Sequence, residues 1–223
     1  MNQLDCTIQD WRVGVPMGKF FNQMQPVVAA AFKNTVNLLT DLGCRLIDFD
    51  PPGIEEMDEL CTIIIQAEGS FYHERYRTRE HLYGHNFCEH IFPGREMKAQ
   101  CYLAACHRKQ ELQRKWRKLA SRFDLLVTPS GPAVAPPHGT ITMEIENKSF
   151  PIRPLLNRFT RPFNLLGWPA LSVPNGISAE GLPTGVQVAG PPDSEGRLLI
   201  LGYRLEEALG LVNKLGIQPR YQP

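Results

Sequence analysis

Few residues in this chain have the types and spacing that could do chemistry. Ser130 stands in TPSGP, directly after the apolar run FDLLV, so its hydroxyl belongs at a strand end. A serine there becomes a nucleophile when a positioned base takes its proton. No GxSxG surrounds it and no base stands nearby in sequence. Serine beside glycine and proline is ordinary turn chemistry, so Ser130 is expected in a loop or turn. His81, His85, Cys88 and His90 lie within ten residues and are all zinc-ligand types. The spacing of His81 and His85 suits one helix face. Gly84 interrupts that face and no known ligand signature fits, so the stretch is expected to be a polar, partly exposed helix end and loop without metal.

Two binding chemistries are disfavoured. Between Arg108 and Arg122 there are seven Lys or Arg residues against one acid, Glu111. Such a helix could neutralise phosphates. The net charge of the chain is only +1, however, so the run is expected to be the solvated face of an amphipathic helix, with no nucleic-acid partner. No GxGxxG or GxxxxGKS opens a helix, which leaves nucleotide binding without support, and no cofactor is expected.

The bulk numbers are those of a globular chain able to bury a core: 223 residues, 43% hydrophobic and 21% charged. The longest apolar runs, such as Cys61 to Ile65, are too short to span a bilayer. The opening MNQLDCTIQDW has no charged leader and no apolar centre, so it is not expected to be a signal peptide, and the expected location is the cytoplasm. The six cysteines, Cys6, Cys44, Cys61, Cys88, Cys101 and Cys106, form no CxxC pair and are expected to be reduced, buried apolar groups.

The elements that must position any site can be read from periodicity. WRVGVP is a short strand. A helix follows from Pro26, with Val28, Phe32, Val36, Leu39 and Leu42 on one face and Gly43 just past its end. CRLIDFDPP is a second strand, which completes a βαβ unit and so implies a parallel pair. Residues 55–90 are mostly helical in pattern. The segment from Gly94 to Phe123 is the longest helix candidate, with Met97, Cys101, Ala105, Leu112, Trp116 and Leu119 as its inner stripe. FDLLVTP reads as a strand buried on both faces. TITMEIENKSFPI reads as a hairpin around Asn147-Lys148, and GLPTGVQVAGP as a further strand. A last helix is capped by Asp193 or Ser194 and stopped by Gly210. The fold class expected is α/β, a mixed β-sheet flanked by helices.

One stretch stands out by its punctuation: FTRPFNLLGWPALSVPNG, from Phe159 to Gly176, followed by GLPTGVQVAGPPDSEGRLLILGYRLEEAL. Thr160, Pro162, Asn164, Gly167, Pro169, Ala170, Ser172 and Pro174 match the C-terminal pattern of the amidase signature family, as do Gly181, Leu182, Pro183, Gly185, Gln187 and Glu195. FDLLVTPSGP (Asp124, Thr128, Pro129, Pro132) and YLAACHRKQEL (Tyr102, Ala105, Arg108) resemble upstream segments of that family in the right order. The resemblance covers the chain and implies that residues 1–223 are the C-terminal portion of a single amidase domain, with no internal boundary.

The resemblance further implies amide hydrolysis by a serine nucleophile, a second serine in a cis peptide and a lysine base, with backbone N–H groups as the oxyanion hole. Those residues belong to the first half of the family's fold. This chain contains no Gly-Gly-Ser-Ser-like run and no lysine in matching context, so no catalytic residue is expected in it. It would bind a small amide substrate only together with the triad-bearing half, with homo-oligomerisation as a further way to cover the face left open. The alternative is a non-catalytic binding or interaction module derived from the half-fold. The substrate-pocket wall expected from the resemblance comprises Asn157, Phe159, Thr160, Phe163, Asn164 and Trp168, with simple core residues as the favoured alternative for Phe163 and Trp168. Glutamine-dependent members carry an aspartate where Asn157 stands, and a neutral amide cannot pair with an ammonium in the same way. The chain therefore resembles a general amidase more than the amidase-type component of a glutamyl-tRNA amidotransferase.

Overall fold

A computed structural model describes residues 6–211. Residues 1–5, part of the segment expected not to be a leader, lie outside the described residues. The βαβ unit forms as its periodicity requires. β1 (Arg12–Pro16) and β2 (Arg45–Phe49) pair in parallel around α2 (Pro26–Asp41), after a single turn, α1 (Lys19–Asn22). Gly43 takes φ +87°, the left-handed conformation a residue with a side chain resists, and lets the chain turn into β2.

A mainly helical stretch follows: α3 (Met57–His73), a 3-10 segment (Glu74–Leu82), α4 (His85–Ile91), a second 3-10 turn (Phe92–Glu96) and α5 (Ala99–Ala120). β3 (Leu125–Pro129) is buried at all five positions, as a strand covered on both faces must be. The hairpin of β4 (Thr142–Ile145) and β5 (Lys148–Pro151) turns at Glu146 and Asn147, one residue earlier than expected. Both have positive φ, which suits the right-handed strand twist. Then come α6 (Ile152–Asn157), α7 (Arg161–Leu166), β6 (Ala170–Ile177), β7 (Pro183–Ala189) and α8 (Glu195–Leu209), which Gly210 stops at φ +58°. Ser194 occupies the position before α8, but its hydroxyl donates backward to the Pro191 carbonyl at 2.6 Å and makes no side-chain cap.

The main sheet has the order β2-β1-β3-β7-β6, with β7 antiparallel to both neighbours. Alternation sorts its side chains into two layers. Val13, Leu125, Val127, Val173, Val186 and Val188 pack with α2 and α8. Leu126 and Ala189 face the other way, into a core with Phe49, Leu112, Trp116, Phe159 and Phe163 from α3, α5 and α7 and their flanks. The fold is thus the α/β sandwich of helices about a mixed sheet that the sequence leads one to expect.

Two expectations about buried faces fail locally. α5 buries Ala105, Leu112, Trp116 and Ala120, while Cys101 is exposed and Met97 precedes the helix. Cys101 turns to the exposed side of the first turn of α5, while Tyr102 beside it packs against the core. Of the six cysteines, all free, only Cys44 and Cys61 are buried. Burial pushes the Cys44 thiol up to about 11 and raises Cys61 as well, so neither is poised as a thiolate.

Candidate functional site

Three strands place a polar row across the sheet. In the register, Thr128 lies opposite Gln187, and Gln187 opposite Ser172. Directly opposed residues share a face, so all three point to the side of α5 and α7. The row begins buried, with Thr128 at 0% and Gln187 at 3% exposure, and emerges at β6, where Ser172 is exposed. Ser130, just past the end of β3, donates its hydroxyl to Ser172 Oγ at 3.0 Å, and its N–H to the Gly185 carbonyl at 2.8 Å. A Cβ on Gly185 would stand 2.9 Å from Ser130 Oγ, so glycine is what lets the two serines meet. The expected loop position of Ser130 holds, but its partner is a strand residue.

The row also anchors the connector between α6 and α7. Gln187 Nε2 donates to Thr128 Oγ1 at 2.9 Å and to the Phe159 carbonyl at 3.1 Å. An amide donor fully used by two buried acceptors fixes the backbone of Asn157–Thr160 against the sheet. The connector tightens itself: the Thr160 N–H and hydroxyl both donate to the Asn157 carbonyl, at 3.2 and 3.1 Å. Pro162 then suits the first turn of α7, and Gly167 ends that helix at φ +70°. Gln113 of α5 donates to the freed Leu166 carbonyl at 3.1 Å, which docks the end of α7 on the longest helix. The prolines and glycines around β6 thus set a short helix between the sheet and α5.

Of the residues expected to form a pocket wall, the structure divides the set. Phe159, Phe163 and Trp168 are core residues, at 0%, 1% and 7% exposure. Trp168 meets Trp116 edge-on at 5.6 Å, and Phe163 meets the same indole at 6.2 Å. Asn157 and Asn164 are exposed and Thr160 is half-buried, so these three reach the surface beside the row. Ser130, Ser172 and Gln187 are absent from the expected set, although Ser172 and Gln187 are motif positions. Their signal is the strand register, which brings residues 42 apart into contact.

On the same side of the sheet as the row, Ala170 and Ser172 of the edge strand β6 are exposed, while Val173 on the opposite face is buried by α8. Among the described residues nothing pairs with the outer edge of β6. This is an uncovered half-face at the end of a polar row.

Among the described residues no group of His, Cys, Asp and Glu could hold a metal. His81 and His85 are exposed, and His85 faces Glu89 one turn away at 3.1 Å. Burial lowers the proton affinity of His90, with Arg153 and Arg161 adding to the effect. The basic run of α5 turns Arg114, Lys115, Arg117 and Lys118 to solvent, and Arg108 is held by Glu56 at 2.6 Å and by Glu111. No described helix is long and apolar enough to cross a membrane. A cavity of about 600 Å³ opens beside α3 and α5, but its Glu68 accepts from Tyr102 at 3.0 Å and its Arg95 pairs with Glu80 at 2.6 Å.

Residues 3–199 match the sequence profile of the family described as Amidase. The chain is 27% identical over 231 residues to a glutamyl-tRNA(Gln) amidotransferase subunit of Synechococcus sp. (strain RCC307), covering 92% of this chain and 46% of that protein. It is 30% identical over 214 residues to 2-amino-5-chloromuconic acid deaminase of Comamonas testosteroni, covering 91% of this chain and 44% of that one. It superposes on the crystal structure of an amidase with TM-score 0.83 at 29% identity, over 91% of this chain and 46% of the other. The chain therefore spans about half the length of the relatives it matches. The profile match, which spans most of the chain, shows that it belongs to the amidase family.

Proposed function

We propose that the chain forms one wall of the acyl-binding cleft of an amidase, a hydrolase of carboxamide C–N bonds, and acts together with a half that supplies the serine, cis-serine and lysine. The observation that carries this reading is the polar row Thr128–Gln187–Ser172. It runs out of the core onto an uncovered half-face, in the segment that matches the family's motif. In this reading Asn157, Thr160 and Asn164 line the cleft, while Phe159, Phe163 and Trp168 support it from behind.

The row itself is not a catalytic triad. The Ser130 and Ser172 hydroxyls bond to each other, and a serine pair without a base has no means of raising either nucleophile. The chain alone is inactive in this reading, and its relatives include both a deaminase and a tRNA amidotransferase component. Asn157 supports a general amidase over a glutamine-using one. The test is amide hydrolysis by the chain alone and after mixing with the separately purified N-terminal half of a related amidase. Activity restricted to the mixture supports the proposal. Equal activity without that half refutes it, and a mixture that binds without turnover supports the non-catalytic binding module.

A further inference from the structure

Arg158 differs from the other half-buried arginines. Among the described residues Arg12, Arg95, Arg108, Arg161 and Arg204 each form an ion pair with a carboxylate. Arg158 does not. Its guanidinium donates to the neutral Gln23 Oε1 at 2.9 Å and lies 4.4 Å over the Phe20 ring. It lines a cavity of about 440 Å³, with Phe20, Phe150, Pro154 and Leu155 as apolar walls. That volume suits a small organic ligand. Two acids, Glu55 and Asp58, share the lining. Asp58 is already occupied by Arg161 at 2.7 Å, and Glu55 is exposed, where solvent and salt screen it. Burial lowers the proton affinity of Arg158, and the fields of Glu55 and Asp58 offset this only in part.

A planar guanidinium with one neutral hydrogen-bond partner keeps further donors in a fork that fits a carboxylate. We propose that this cavity is a carboxylate-binding subsite, in which Arg158 receives the carboxylate of a ligand whose apolar body lies against Phe150, Pro154 and Leu155. The site belongs to the connector that Gln187 fixes through the neighbouring Phe159 carbonyl. Binding there does not depend on whether the protein hydrolyses amides, so it can be tested on the chain itself.

The experiment is an NMR titration of the full chain with sodium 3-phenylpropionate, and in parallel with the neutral isostere 3-phenylpropanamide. Saturable shifts at Phe20, Gln23, Leu155 and Arg158 are expected for the acid. The amide should bind about tenfold or more weakly, since a charge-assisted contact is replaced by a neutral one. The Arg158→Met variant should lose the preference for the acid, and Arg158→Lys should retain part of it. The acid–amide comparison on the unaltered chain needs no variant, which guards against misfolding of Arg158→Met. Equal affinity for acid and amide, shifts confined to other residues, no saturable binding, or an undiminished acid preference in Arg158→Met would each overturn the proposal.

Discussion

The side-chain amide of Gln187 on β7 donates to the backbone carbonyl of Phe159, at 3.1 Å, across the gap between the sheet and the connector before α7. The same nitrogen donates to Thr128 Oγ1 at 2.9 Å. One buried amide therefore fixes both the polar row and the loop beside it. Replacing it by leucine of similar bulk would strand two buried acceptors. Gln187→Leu should cost about 2–3 kcal/mol, since each unmet buried group costs on the order of 1–3. For a chain of this size that is a fall in Tm of about 5–10 °C. Thermal melts followed by circular dichroism check this, and a change below about 1 °C would remove the clamp from the account.

Arg12 and Asp124 tie the first strand of the sheet to the entry of β3. The Asp124 carboxylate accepts from the Arg12 backbone N–H at 2.9 Å and from its guanidinium at 3.1 Å. Burial would raise the carboxyl, but these hydrogen bonds and the charges of Arg12 and Arg197 more than offset it and hold it below its ordinary value. A depressed carboxylate contributes stability above the unfolded value, about 3.9, and loses it as pH falls through the lower folded value. Urea midpoints of the wild type should therefore exceed those of Asp124→Asn near neutrality and converge with them only once the pH has fallen below the depressed folded value. A constant difference down to the lowest pH would show that the carboxylate's ionisation is not what matters.

The uncovered half-face of β6 should make the isolated chain associate. An unpaired edge with exposed Ala170 and Ser172 offers backbone donors and acceptors to another copy. Sedimentation velocity on a concentration series should show reversible self-association, and Ser172→Lys should weaken it by placing a charge on that face. A monomer at all concentrations, unaffected by Ser172→Lys, would mean that this edge is not a docking surface.

Local chemistry makes much of this fold legible in the sequence. The stripe of Val28 and Leu39 and the turn at Gly43 announce the βαβ unit, and the unbroken apolar run of β3 announces a strand buried on both sides. Non-local packing is not legible there. For Phe163 and Trp168 their large apolar side chains favour a core position, but the partner that fixes them there, Trp116, arrives from α5 and is not marked in the sequence around them. The Ser130–Ser172 contact depends on β7 lying between β3 and β6, so two ordinary serines gain a partner only through topology. Arg158 reads as any surface arginine until its neighbours prove to be Gln23 and Phe20.

In the proposed function this chain carries the wall of an amide-hydrolysing cleft but not its nucleophile. The most direct measurement is hydrolysis of a panel of small carboxamides, followed by release of ammonia. It compares the chain alone, the chain mixed with a triad-bearing N-terminal half of a related amidase, and the double variant Ser130→Ala/Ser172→Ala. The expected result is no turnover by the chain alone and measurable turnover only in the mixture. Turnover by the chain alone that disappears in Ser130→Ala/Ser172→Ala would contradict the account, because the serine pair at the edge of the sheet would then be the nucleophilic centre.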